Sequence, residues 1–533
     1  MKVRLIQKSS TMVEYKERGF MAHGWNQERA AEHIGKRLED VKEVVIKEYV
    51  RDMTLENIKT NEAYKVHGVH LYADIVNLDA ILGTTETEGV TSHKRALRFL
   101  NLHYRAVSRI LSETDTKRVD FHNQRLHAVV TKPYNTEDMA ELSRVRQAVA
   151  VAQLIIDVLD QTGDDDEQIP NARVRVGIDT GSALAVNNGR SGYREPLFLG
   201  EPANHAAKHA SNGSAVGIFL TNTARKAIGL SEVENSNKTA LTAEEIKACQ
   251  DAAALTVTSQ SIVEEWREDL KKNPIGTFEF SRQTPPLRDL DITVLTPKNS
   301  RRQEAVSVYA DIDGFTAYVA RHIDSNPEDV VRTLHVIRAE LERVLTADFG
   351  GRRIRFIGDC IHGLICEGTA QTTDEEQTVS NSVLCAGGLR SSFEKALVLL
   401  AAQKVDAAGL GLAIGFEFGP MTVTRLGIHG DRIRCSVSRG VLQSEEEQLR
   451  CNGSETAIGK SAYDKGTDAV RKMFGSKRKK SDLDYNEAVE GLAELDDSTA
   501  KSSRNIVFGI ATSAAAEGAS RVTRPYAYER LGK

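Results

Sequence analysis

Two stretches of this 533-residue chain are near copies of one another: "LYADIVNLDAI" at 71–81 and "VYADIDGFTAY" at 308–318. Each is an apolar run that reads as a buried strand and ends at an Asp-Ile step, where a carboxylate leaves the strand. The repeat does not stop there. "SHKRALRFLNLHYRAVSRIL" and "NPEDVVRTLHVIRAELERVL" follow with apolar residues at helical spacing. Hairpin strands come next, "RVDFHNQRLHAVV" against "RIRFIGDCIHGLI", which aligns His127 with His362. A Gly-punctuated strand then aligns Gly181 with Gly419. A chain that repeats one order of elements at a spacing of some 237 residues folds as two copies of one unit.

The rest of the chain is read around these copies. Residues 1–60 carry the amphipathic segment "NQERAAEHIGKRLEDVKEVVIKEYV" and are expected to form a helical arm. The first copy spans 61–280 and the second 303–533. Between them, 281–302 hold three prolines among polar residues and read as an extended linker. With 70 Lys+Arg against 75 Asp+Glu the net charge is −5, which leaves no basic field for nucleic acid or an anionic membrane; "KRKK" at 477–480 reads as a solvated loop. The six cysteines show no metal-ligand spacing and read as reduced thiols. The longest apolar run, "ALVLLAA", is too short to span a bilayer, so the expectation is a soluble, cytoplasmic protein with no membrane partner.

In the second copy, Asp311 ends one strand and Asp359 sits in the turn of "FIGDCIHG". Carboxylates converging from neighbouring strands can hold hard divalent ions, with the Ile312 carbonyl as a further oxygen ligand. A single Asp at a strand end is usually only a turn residue; "ADIDGFT" followed by "RFIGD" weakens that reading. The pair resembles the class III nucleotidyl cyclases. The resemblance implies an α+β fold of two tandem ferredoxin-like palm domains that pair within the chain as a pseudo-heterodimer, and two divalent cations, Mn²⁺ or Mg²⁺.

In that family one domain supplies the metal carboxylates and its partner an Asn and an Arg on one helix. "FLGEPANHAAKHA" places Asn204 and Lys208 on those positions, four residues apart on one helical face. The first copy carries Gln124 where the second has Asp359, so Asp74 lacks its partner. The second copy has no Asn-x-x-x-Arg/Lys, its best match putting Ser438 and Leu442 there. Each half keeps what the other lost, which implies one live site.

By the same resemblance the base-reading positions fall on Asp120 and Leu197, which removes the adenine-reading pair. The phosphate-binding Arg falls on Pro420, with Arg425 as a substitute further along the strand. "KVHGVHLYADI", "RVDFHNQRLHAV" and "RCSVSRGVLQSEEEQ" resemble the pyrimidine cyclases of bacterial Pycsar anti-phage systems. That resemblance implies a nucleoside triphosphate substrate, UTP favoured, cyclised to cyclic UMP for a separately encoded effector. A cytidylate cyclase, an adenylate or guanylate cyclase, and a catalytically silent nucleotide-binding module are the alternatives.

Overall fold

A computed structural model describes residues 24–504 apart from 84–87, 136, 165–167, 189–195 and 429–431. The first half builds a seven-stranded sheet from β1 (Val45–Glu48), β2 (Glu62–Ile75), β3 (Lys117–His122), β4 (Arg125–Val130), β5 (Val174–Asn187), β6 (Pro196–Leu199) and β7 (Gly217–Leu220). Its order is β3-β4-β2-β5-β6, with β1 parallel to β2 and β7 parallel to β5. The second half repeats this with β9 (Ser300–Asp313), β10 (Arg352–Ile357), β11 (Cys360–Ile365), β12 (Gly411–Leu426), β13 (Ile433–Val437) and β14 (Glu455–Ile458). The short β8 (Phe280–Ser281) pairs with β9, and β15 (Lys479–Ser481) extends the far edge.

The strand register is conserved between the copies. Leu71 pairs with Ile178 in the first sheet as Val308 pairs with Phe416 in the second, and Ala73 with Leu126 as Ala310 with Ile361. Because side chains alternate along a strand, equal register puts equivalent residues on equivalent faces.

The two halves interlock by exchanging one hairpin each. Leu184, Val186, Leu197 and Leu199 of β5 and β6 are buried in the core of the second half. Leu426, Ile433, Cys435 and Val437 of β12 and β13 are buried in the core of the first. Burying an aliphatic side chain of this size contributes roughly 1.5–3 kcal/mol, so neither core is complete without the other half. The helix after β6, Glu201–Ser211, and the helix after β13, Arg439–Leu449, pack on the sheets of their own halves, over Gly177 and Gly415, with one face turned to the other half.

Two segments differ from expectation. Residues 1–23 of the expected arm lie outside the described residues; among the described ones the arm is helical over Gln27–Asp40, and Val45–Glu48, which the amphipathic pattern puts in the same helix, joins the first sheet as β1. That helix buries Ala30 and Ile34 in the second-half core and pairs Arg29 with Glu340 at 2.7 Å, so the arm ties the two halves together. The linker is packed, not extended: its 3₁₀ turns bury Leu287, Leu290, Ile292 and Leu295 against β9, β10 and β12, because four apolar residues spaced through 287–295 outweigh the polar composition around them. Among the described residues, all six cysteines are free, five of them buried, and no helix is long and apolar enough to cross a membrane.

Candidate active site

The hairpin exchange leaves a cavity of about 530 Å³ between the halves. It brings together Asp311, Ile312 and Asp359 of the second half with Asp120, Leu197, Asn204 and Lys208 of the first. Seven of the eight residues singled out from the sequence therefore line one space. The eighth does not. Arg425 sits near the far end of β12 with its Nε donating to the Leu295 carbonyl at 3.1 Å, and it is not among the residues lining this cavity. The strand runs on past the site before Arg425 is reached, and the packed linker captures its guanidinium.

Ala310 is the last β9 residue paired with β11, so Asp311 leaves the ladder beside the β10–β11 turn that carries Asp359. The Ile312 amide donates to Asp359. Burial raises the pKa of both carboxyls; Asp313 and Glu445 raise Asp311 further, and Asp311 raises Asp359, which Arg338 opposes. Among the described residues no Lys, Arg or His lies within ion-pair distance of either. Two half-buried carboxylates facing each other without a protein cation are a surplus of negative charge that fits a hard divalent ion.

Across the cavity, Asn204 donates from Nδ2 to the Thr316 hydroxyl at 2.7 Å, a bond that joins the Asn204 helix to the first turn of the helix Phe315–His322 that follows Asp311. Lys208 stands one turn further along on the same face, exposed to the cavity and paired with none of the described carboxylates. At the other end, Asp120 is held by Arg355 at 2.5 Å, and Arg355 also donates to the Phe121 carbonyl. Burial raises the Asp120 carboxyl, with Arg355 opposing. By hairpin register Arg355 is the second-half counterpart of Asp120, each lying opposite the equivalent histidine, His127 or His362. An ion pair between equivalent positions is a contact that neither copy announces alone.

Sequence reasoning missed the aromatic floor here. Tyr72 stacks on His127 at 4.1 Å with planes 16° apart, and Phe198 lies across His70 and His127. Burial keeps His70, His122 and His127 below the ordinary imidazole range, so this floor is neutral. The available signal was in the repeat: Tyr72 and His127 recur as Tyr309 and His362, stacked at 4.4 Å and again 16° apart.

The pseudo-equivalent cavity is smaller, about 260 Å³, and lined by Asp74, Gln124, Arg125, Leu442, Glu445 and Glu446 among others. Its helix register corrects the alignment made from sequence. A Cβ at Gly177 would meet the Ala206 carbonyl at 2.1 Å, and one at Gly415 would meet the Gln448 amide at 2.1 Å. The two helices thus seat on equivalent glycines, and their first residues, Glu201 and Arg439, correspond. Asn204 and Lys208 therefore match Leu442 and Glu446, not Ser438 and Leu442; Ser438 is the N-cap. A carboxylate replaces the cation. Arg125 fills this site from the first half, 2.5 Å from Glu445 and 3.5 Å from Asp74, and burial holds the Asp74 carboxyl up to about 6.

A palm-like unit present twice, paired by reciprocal exchange of one hairpin, with metal-type carboxylates from one copy and an Asn-x-x-x-Lys helix from the other, defines a nucleotidyl cyclase of the class III type. Known proteins agree: residues 63–254 match the adenylate and guanylate cyclase catalytic domain, and the chain belongs to the class III nucleotidyl cyclase family. It is 62% identical to a uridylate cyclase of Pseudomonas aeruginosa over 96% of this chain and 99% of that protein. A uridylate cyclase of a Rhizobium species is 41% identical over 78% of this chain and 82% of its own length. The crystal structure of a class III adenylyl cyclase-like ATP-binding protein from Pseudomonas aeruginosa is 66% identical, with a TM-score of 0.88 over 89% of this chain and all of that one. Catalytic domains of this class use divalent metals.

Proposed function

We propose that this chain converts UTP to 3′,5′-cyclic UMP and diphosphate at the single cavity that both halves build, and that the product is a messenger for a separately encoded effector in anti-phage defence. The observation that carries the reading is the composite lining: Asp311 and Asp359 from one half, Asn204 and Lys208 from the other. The reaction joins the ribose 3′-oxygen to the α-phosphorus and breaks the bond from that phosphorus to the β-bridging oxygen. Asp311, Asp359 and the Ile312 carbonyl would hold two divalent cations, Mn²⁺ or Mg²⁺. When bound, these supply a lowered pKa for the 3′-hydroxyl and a counter-charge for the leaving diphosphate.

Asn204, tethered to Thr316, orients the ribose so that the 3′-oxygen faces phosphorus. Lys208 places a positive charge where the α-phosphate oxygens gain negative charge during in-line attack. Lysine offers a point charge without a guanidinium fork, so the Thr316–Asn204 tether carries more of the geometric control here. At the base end, Asp120 accepts from uracil N3–H while Arg355 holds its carboxylate in place. Leu197 and the stacked Tyr72 and His127 present apolar and π surface. An acidic group and a leucine are poorly suited to adenine, and two relatives named uridylate cyclase at 62% and 41% identity favour UTP over CTP and the purines.

The test is direct. Purified full-length chain is incubated with each of the four nucleoside triphosphates and Mn²⁺ or Mg²⁺, and cyclic products are identified by mass spectrometry. Cyclic UMP as the dominant product is expected. Cyclic CMP, cyclic AMP or cyclic GMP in its place, or no product with any of the four, would overturn the assignment.

A further inference from the structure

Behind the base end of the active cavity lies a second one of about 560 Å³ that the cyclase reaction does not use. Its walls come from three parts of the chain: Arg37 and Asp40 of the arm helix, Thr60, Val186 and Asn187 of the first half, and His335, Arg338 and Phe356 with their neighbours in the second. Such a size is that of a small-molecule pocket.

Arg338 is the unusual residue. It is only 4% exposed, yet among the described residues no carboxylate lies within ion-pair distance of it. Its Nη2 donates to the Asn188 side chain at 3.0 Å, its Nε is buried without a partner, and its guanidinium lies 3.8 Å from the centre of the Phe356 ring. Its strongest opposing charge is Asp359, beyond ion-pair distance and pressed in turn by Asp311, while the other nearby carboxylates are committed elsewhere. Glu342 pairs with Arg353 at 3.1 Å, Asp40 with Arg37 at 3.0 Å, and Asp120 with Arg355 at 2.5 Å. Arg353 lies 4.3 Å from the same Phe356 ring, so a second positive charge presses on the first. Burying a charge without a partner at ion-pair distance is costly, and a guanidinium is the side chain best matched to phosphate oxygens.

Two more donors line the space. His335, one turn before Arg338 on the same helix face, has a buried Nε2 held only by a long 3.5 Å contact to Asp40, and Thr60 adds a hydroxyl. Val186, Val331, Leu334 and Phe356 make the remainder apolar. We infer that this cavity is a second ligand site, distinct from the catalytic one, that takes a small phosphate monoester: its phosphate on Arg338, His335 and Thr60 and its organic body against the apolar wall. Phe356 and the Arg338 partner Asn188 also line the active cavity, so the occupant sits one side chain away from the nucleotide base.

Calorimetric titration of the full-length chain with phenyl phosphate tests this, in EDTA so that the catalytic carboxylates hold no cation. One-to-one binding is expected, at least tenfold tighter than orthophosphate or phenol. Arg338→Gln is expected to weaken it at least tenfold. Ala339→Trp, which fills the same cavity without touching a charge, should do likewise and keeps the test open if Arg338→Gln fails to fold. Lys208→Ala, which removes a cation from the active cavity only, should leave it unchanged. No binding to the wild type, binding indifferent to Ala339→Trp in a folded variant, orthophosphate binding as tightly as phenyl phosphate, or loss in a folded Lys208→Ala variant would each overturn the proposal.

Discussion

The two cavities related by the internal repeat began from one plan and differ in where the positive charge comes from. In the cavity proposed as catalytic, Asp311 and Asp359 face each other with no described cation at ion-pair distance, and the facing helix offers Lys208, paired with no described carboxylate. In its counterpart, the turn acid is Gln124, the helix offers Glu446, and Arg125 reaches in to neutralise Asp74 and Glu445. One cavity stays open, as the proposed binding of ions and substrate requires, while the other is closed by an internal ion triad that spans the two halves. Duplication freed each copy to lose half of its residues as long as the losses were complementary.

The largest effect expected from disturbing this contrast is at the carboxylates. Asp311→Ala and Asp359→Ala should each abolish cyclic nucleotide formation, because each empties a cation site. Asp74→Ala should retain turnover wherever it remains folded. Product assays on the three purified variants, alongside circular dichroism to check folding, decide the matter; a folded but inactive Asp74→Ala would mean that the second cavity is also catalytic.

Next in size is Lys208→Ala, expected to lower kcat by roughly a hundredfold while apparent affinity for the triphosphate stays within a few-fold. That is the scale for removing one preorganised donor to a developing oxyanion. Steady-state kinetics separates the two parameters. A defect confined to KM would show that Lys208 binds the ground state only.

Arg125 extends the contrast to stability. Arg125→Ala leaves Asp74 and Glu445 facing each other beside the interface, and with its side chain 30% exposed the loss should be about 1–3 kcal/mol, below the full cost of breaking a buried pair. Urea unfolding monitored by fluorescence measures it. Adding Glu445→Gln to that variant should restore part of the loss, whereas an additive double mutant would argue that the triad is not coupled.

The smallest effect is a pH dependence at Asp74. Its folded carboxyl is held up to about 6 by burial, above the ordinary value of 3.8, so the fold binds more protons than the unfolded chain between those values. Stability contributed by this group is therefore present at low pH and lost as pH rises through 6. Asp74→Asn should be more stable than the wild type above pH 6, by at most about 3 kcal/mol at 1.36 kcal/mol per unit, with the gap closing as pH falls towards 4. Denaturation midpoints at pH 4.5 and 8 provide the check.

Duplication, the α+β plan, the pair Asp311 and Asp359, and the Asn204–Lys208 face are all legible in the amino-acid order. Each is local: a strand end, a hairpin turn or a helical spacing of four, repeated or conspicuously missing at a known offset. Other features depend on contacts far apart in the chain and emerge only in the folded molecule. The seat of the Leu442 helix follows from how closely Gln448 approaches Gly415, which no helical periodicity encodes. The ion pair of Asp120 with Arg355 joins residues 235 apart, and the capture of Arg425 by the linker depends on Leu287, Leu290, Ile292 and Leu295 finding an apolar surface. Local pattern determines which side chains are available, but the free energy that sets them against one another comes from burial between halves, and that surface exists only once both have folded.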